Sequence, residues 1–313
     1  MAGDAPLEPD PSIRALVARF DAPGEGVGID DLRSGFSSFI RAMYERGQLA
    51  PVASEDSTVA GPTRPIPVRT YEPTGSADDE LDVVVFFHGG GWVAGDLFTA
   101  DAGARALAVG LGARVVSVDY ALAPEAVFPQ PLDECVHVTN HVAARGTTRR
   151  VVVAGESAGG NLAAAVALRC DPGVLGGQVL INPLLDHACE STSHARFGTN
   201  YGLTTEAVRR YLSFYAAETD PANPYLAPLN ASSLRGLPPA VITTAGFDPL
   251  RDDGIRYAQR LLEDDVPVSY LPMPRFLHGW WSVLTASEAA RREVDRIVAA
   301  CLALLTEPTS ATG

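Results

Sequence analysis

The 313-residue chain reads as an α/β fold, a mostly parallel central sheet flanked by helices. Three observations predict it. Short runs rich in β-branched residues recur at 68–71, 83–87, 115–118, 151–154, 179–181, 241–244 and 268–271. Several are apolar without alternation, as strands buried on both faces are. Helical periodicity fills the intervals, at about 101–110, 131–144, 160–169, 253–263 and 286–305. A strand–helix alternation of this kind puts the ligand site at the carboxyl ends of the strands.

Taken in order, the chain opens on MAGDAPLEPD, acidic and proline-containing, so no secretory leader is expected. Ile13, Leu16, Val17 and Phe20 fall at helical spacing, as do Leu32, Phe36, Phe39, Ile40 and Met43, which predicts two helices in the first 50 or so residues. Gly24, Gly26 and Gly28 between them read as a linker, because no strand precedes them as a dinucleotide loop would require. The strand–helix pattern then runs from residue 65 and is interrupted by a long insertion, 187–235. The insertion carries one amphipathic helix marked by Val208, Tyr211, Leu212 and Tyr215. Long insertions in compact domains are usually functional. The chain is therefore expected to form one domain over 1–313, with a helical cap from about 1–50 and 187–235 and a frayed Pro/Thr/Ser/Gly tail.

Composition excludes several classes of function. The chain has 38 acidic and 24 basic residues, a net charge of −14, which repels phosphate backbones and anionic headgroups. All basic residues are arginine. Without a lysine there is no Walker A loop, no pyridoxal Schiff base and no protein-kinase site. Cys135, Cys170, Cys189 and Cys301 are scattered without a CxxC pair, so they read as reduced core residues rather than a disulfide or zinc framework. No stretch approaches the roughly 20 apolar residues of a membrane span, and a soluble, cytoplasmic protein is expected.

The strongest chemical signal is Gly155-Glu156-Ser157-Ala158-Gly159-Gly160, between the strand RVVVA and the helix NLAAAVAL. That is the setting of a nucleophile elbow, in which flanking glycines permit a tight turn and the serine hydroxyl projects over a helix N-terminus. A second signal, His88-Gly89-Gly90-Gly91-Trp92, ends the strand VVVFF. Its backbone N–H groups, with that of Ala158, can hold a tetrahedral oxyanion. His88 precedes the glycines and reads as their orienter rather than as a base. A serine nucleophile needs a base, and the base an orienting carboxylate. His137 and His141 stand at i, i+4 on a helix without the Glu of an HExxH site and read as solvated residues. His187 and His194 lie in the insertion, where a base would be held poorly. His278 follows the last strand and Asp248 the strand before it, whereas Asp252 and Asp253 would cap the next helix. The chain order Ser157, Asp248, His278 is that of an α/β-hydrolase.

Together HGGGW, VDYALAPE (118–125), GESAGGN, LPPAVITTAGFDPLRDDG (237–254) and HGW resemble the hormone-sensitive lipase family of α/β-hydrolases, the bacterial carboxylesterases with an HGGG loop. The resemblance runs from about residue 65 to 280 and, through the expected cap, covers nearly the whole chain. It implies Ser157 as nucleophile, His278 as general base and acid, Asp248 as its orienter, and Gly89, Gly90, Gly91 and Ala158 as the oxyanion hole. The reaction implied is hydrolysis of carboxylic esters of short to medium acyl chain through an acyl-enzyme, with no metal and no cofactor. The alternatives are a deacetylase, amidase, lactonase or acyl-transfer or elimination enzyme on a specialised metabolite, or a non-catalytic small-molecule receptor. A small-molecule ester is the expected partner, with no nucleic acid or membrane, and the chain is expected to be a monomer or homodimer. Ala121 and Ala126 stand where the family usually has Arg and His, and Trp280 where it has Phe. Trp92, Phe276 and Trp280, with Trp281, are expected to supply aromatic walls of the substrate pocket.

Overall fold

The computed structural model describes residues 7–18, 26–73, 81–145 and 148–306. Helices α1 (Pro11–Val17) and α2 (Ile29–Tyr44) come first, then strands β1 (Ala53–Ala60), β2 (Pro65–Glu72) and β3 (Leu81–Phe87). The α3 helix (Asp101–Leu111) crosses to β4 (Arg114–Val118), α4 (Gln130–Ala143) to β5 (Thr148–Glu156) and α5 (Ala158–Arg169) to β6 (Leu175–Ile181). The insertion holds α6 (Thr192–Phe197) and α7 (Thr205–Tyr215). The chain then runs through β7 (Ala240–Phe247), α8 (Arg251–Glu263), β8 (Val268–Leu277), a 3-10 turn over His278–Val283 and α9 (Glu288–Thr306).

Among the described residues the strands form one sheet in the order β1-β2-β4-β3-β5-β6-β7-β8. Pairing is parallel from β4 through β8, and antiparallel at β1·β2 and β2·β4. The unalternated apolar runs have a simple cause, because both faces of the central strands are covered. On β3, Val83, Val85 and Phe87 pack with Leu132 of α4, Leu162 of α5 and Leu261 of α8. Val84 and Phe86 face the opposite layer, with Leu107 of α3 and Ile297 of α9. Alternate residues of one run thus serve two cores.

Three elements depart from the sequence reading. β1 has the sequence ASEDSTVA, exposed at every position but Val59, and as an antiparallel edge strand it lacks the apolar signature. β8 continues past residue 271 through Pro272 and Pro274, which the opposite edge of the sheet tolerates because one side of the strand needs no ladder hydrogen bonds. α6 is too short to show a period. Phe20, Gly24 and the Pro/Thr/Ser/Gly tail lie outside the described residues. All four cysteines carry free thiols, with Cys170 half-buried and the others buried. Among the described residues no helix is long and apolar enough to cross a membrane.

Candidate active site

Sheet register gathers the motifs. Phe87 pairs with Gly155, Glu156 with Ile181, Ile181 with Thr243, and Phe247 with Leu277. His88, Ser157, Asp248 and His278 follow directly on these paired strand ends, so residues spread over some 190 positions meet along one rim.

Ser157 sits between β5 and α5 at φ 57°, ψ −115°, a strained setting for a side chain with a Cβ. The turn closes because its glycines let backbone meet backbone. A Cβ on Gly155 would lie 2.1 Å from the Gly159 oxygen, and one on Gly159 would lie 2.0 Å from the Phe87 oxygen. The Ser157 N–H donates to the Ile181 carbonyl at 2.9 Å, which anchors the turn to β6.

The Ser157 Oγ lies 2.8 Å from His278 Nε2, and His278 Nδ1 lies 2.8 Å from Asp248 Oδ2. With Nδ1 donating to the carboxylate, Nε2 is left to accept the serine proton. Asp248 is fully buried, and its Oδ1 accepts the Leu250 N–H at 2.8 Å. Burial works to depress the His278 pKa, but the charge and hydrogen bond of Asp248, with the charge of Glu156, raise it above its ordinary value. Asp252 and Asp253 do not cap α8. Asp252 accepts the Ser193 N–H, and Asp253 accepts those of Leu185 and Asp186.

The glycine loop is tied from below. His88 Nδ1 donates to the Gly89 carbonyl at 2.8 Å, and burial pushes its pKa down to about 4, so it is a neutral donor. The Tyr120 hydroxyl donates to the His88 carbonyl at 2.7 Å, and the two rings stack 4.2 Å apart. Gly90 and Gly91 take φ of 115° and 62°, and the Gly90 carbonyl accepts the N–H groups of Val93 and Ala94. Gly90, Gly91 and Ala158 line the cavity above Ser157. Gly89 lies behind, where a Cβ would sit 1.8 Å from Glu156 Oε2. Glu156 is buried, and burial pushes its pKa up to about 7.

The cavity over Ser157 has a volume of about 90 Å³. Its walls are apolar: Val17 of α1, Leu32, Phe36 and Phe39 of α2, and Val208 and Tyr211 of α7. Here the structure corrects the sequence reading. Trp92, Phe276 and Trp280 do not line this cavity. Trp92, at φ 61°, stacks its indole on Tyr215 at 4.3 Å in the core. Phe276 packs edge-on to Trp280 at 5.8 Å, and Trp280 edge-on to Trp281 at 5.5 Å, in the layer beneath the sheet. The reason is where the backbone places them: Trp92 takes a left-handed φ after Gly91, Phe276 lies on β8 and Trp280 in the 3-10 turn, each with its ring in a core layer, which leaves the wall to the helices.

Other histidines stand apart from Ser157. His137 Nε2 contacts the Ala60 carbonyl at 2.7 Å, His141 lies beside Arg145, and buried His194 contacts Thr205 Oγ1 at 3.0 Å. Sequence reasoning missed the helical wall residues and Asn182, which contacts the His278 backbone. Only the apolar periodicity of α2 and α7 could have pointed to the walls.

A sequence profile of the α/β-hydrolase fold matches residues 84–282. The chain is 35% identical over 307 residues to an esterase of Mycobacterium tuberculosis, LipI, spanning 94% of this chain and 95% of that one. It is 39% identical over 250 residues to the carboxylesterase NlhH of the same species, spanning 75% and 77%. Among solved structures, a fungal esterase from Rhizomucor miehei superposes with a TM-score of 0.89 at 30% identity, covering 96% of this chain and 98% of that one. With the profile match over residues 84–282 and an identity spanning nearly the full length of both chains, the chain belongs to the hormone-sensitive lipase family of α/β-hydrolases.

Proposed function

We propose that the protein is a serine carboxylesterase that hydrolyses esters of short to medium acyl chain, with Ser157, His278 and Asp248 as its catalytic residues. The observation that carries this is the pair of 2.8 Å contacts linking Ser157 Oγ, His278 and Asp248 at the floor of an apolar cavity. His278 Nε2 takes the serine proton as Oγ attacks the ester carbonyl, and the oxygen that gains charge is held by N–H groups of Gly90, Gly91 and Ala158, with Gly89 behind them in the loop. The alcohol leaves with the proton from His278. The same nitrogen then activates water, which attacks the acyl-Ser157 ester and regenerates the hydroxyl. Asp248 fixes the tautomer and stabilises the imidazolium throughout. The helices α1, α2, α6 and α7 form the cap, and the apolar faces of α1, α2 and α7 exclude water from the acyl group.

The confined space over Ser157, about 90 Å³, and its apolar walls support a small acyl group. The arrangement is tested by following hydrolysis of p-nitrophenyl acetate to decanoate, wild type beside S157A. Turnover that is highest on the short esters and absent in S157A supports the reading. Equal turnover in S157A refutes it.

A further inference from the structure

We infer that Asn182 is a positioning residue for catalysis, holding the backbone of His278 in register with that of Ser157; this rests on the reading of Ser157, His278 and Asp248 as the catalytic set. Asn182 is the first residue beyond β6, 1% exposed, and it takes φ 44°. A buried polar side chain in a left-handed conformation has two costs, and asparagine is among the few side chains that tolerate the backbone. Its contacts show what the residue does there. The Asn182 N–H donates to the Thr243 carbonyl at 3.1 Å and faces Thr243 Oγ1 at 3.3 Å, while that hydroxyl donates to Asn182 Oδ1 at 3.2 Å. The remaining amide nitrogen, Nδ2, donates to the His278 backbone carbonyl at 3.4 Å, the long end of a hydrogen bond.

The same short segment grips the nucleophile. Ile181 accepts the Ser157 N–H at 2.9 Å, and the Leu184 N–H donates to the Ser157 carbonyl at 3.3 Å. One turn therefore touches the main chain of Ser157 on one side and of His278 on the other, with Thr243 of β7 fixing the amide between them. The two side chains meet at 2.8 Å with no covalent path between them shorter than 121 residues. Ile181 and Leu184 hold the Ser157 side of this sheet end, and the Asn182 amide reaches from between them to the His278 side.

The role separates into backbone and amide by substitution. N182G keeps the left-handed turn and removes the amide, and N182A removes the amide and strains the turn. If the amide positions His278, both variants lower kcat by about tenfold to a hundredfold, the scale of a sub-ångström to 1 Å misplacement, with KM within twofold. Both also move the acidic limb of kcat/KM to lower pH, because a loosened His278 loses part of the Asp248 interaction that raises its pKa. A purely structural role would lower the melting temperature without moving that limb. The inference is overturned if N182G retains kcat within twofold of wild type, or loses it with an unmoved acidic limb. If N182A fails to fold, N182G with its melting curve decides alone. Wild-type turnover and its loss in S157A judge the catalytic assignment separately from these ratios.

Discussion

The support beneath the glycine loop makes a quantitative prediction at Tyr120. Replacing it with Phe removes one oxygen and nothing else. The ring is 1% exposed and remains stacked on His88, while the 2.7 Å bond to the His88 carbonyl is lost. A buried acceptor left without its donor costs about 1–3 kcal/mol. Part of that appears as stability. At ~2.1 cal/mol/K per residue, a 313-residue chain unfolds with an entropy of about 0.66 kcal/mol/K, so full expression as stability would lower the melting temperature of Y120F by about 1.5–5 °C. The remainder appears at the site, because the His88 carbonyl immediately precedes the glycine loop proposed to hold the oxyanion. At 1.36 kcal/mol per tenfold in rate, full expression there would lower kcat about 5- to 150-fold. Steady-state hydrolysis of p-nitrophenyl butyrate and a thermal melt on the same preparation measure both terms. A Y120F protein with kcat within twofold and an unchanged melting temperature would refute the reasoning, since it would mean that the loop stands without this bond.

Two further predictions concern buried carboxyls. As the proposed base, His278 must be neutral to accept the Ser157 proton, and its pKa is raised above the ordinary histidine value, so kcat/KM should fall on an acidic limb higher than that of a free imidazole. The charge of Glu156 contributes to the rise, so E156Q should move the limb to lower pH in a pH–rate profile; a move upward would contradict this account. Asp253 is fully buried, and burial pushes its pKa from 3.8 up to about 8. A carboxyl raised in this way stabilises the fold most when protonated in both states. Its contribution is therefore complete below about pH 4 and declines as pH rises toward about 8. D253N stays neutral and can still accept the Leu185 and Asp186 N–H groups. Its melting temperature should equal that of wild type at pH 4 and exceed it by several degrees at pH 7.5, a gap of no more than about 5 kcal/mol. An equal gap at both pH values would dismiss titration of Asp253 as the cause.

The motifs that carry chemistry were legible because backbone geometry demands them. Gly155 and Gly159 flank Ser157 since no Cβ fits against the carbonyls there, and Gly90 and Gly91 occupy left-handed turns. Such constraints act on the residue itself and so leave a mark in one dimension. The same holds for β3, whose VVVFF run records cover on both faces. β1 left no mark, because an edge strand facing solvent can be polar.

Tertiary structure alone decided which large side chains line the cavity over Ser157. Trp92, Phe276 and Trp280 neighbour the glycine loop and His278 in sequence, yet pack into the two core layers, while Leu32, Phe36 and Val208, from distant helices, form the wall. An apolar residue has the same composition signal whether it faces a core or a cavity, because both are sheltered from water. The direction of its Cα–Cβ bond separates the two, and that is set by how the helices cross the sheet. Asn182 belongs to the same class. Its type is compatible with a loop anywhere, and only the parallel pairing of Ile181 with Thr243, beside the ends of β5 and β8, brings its amide to the His278 carbonyl.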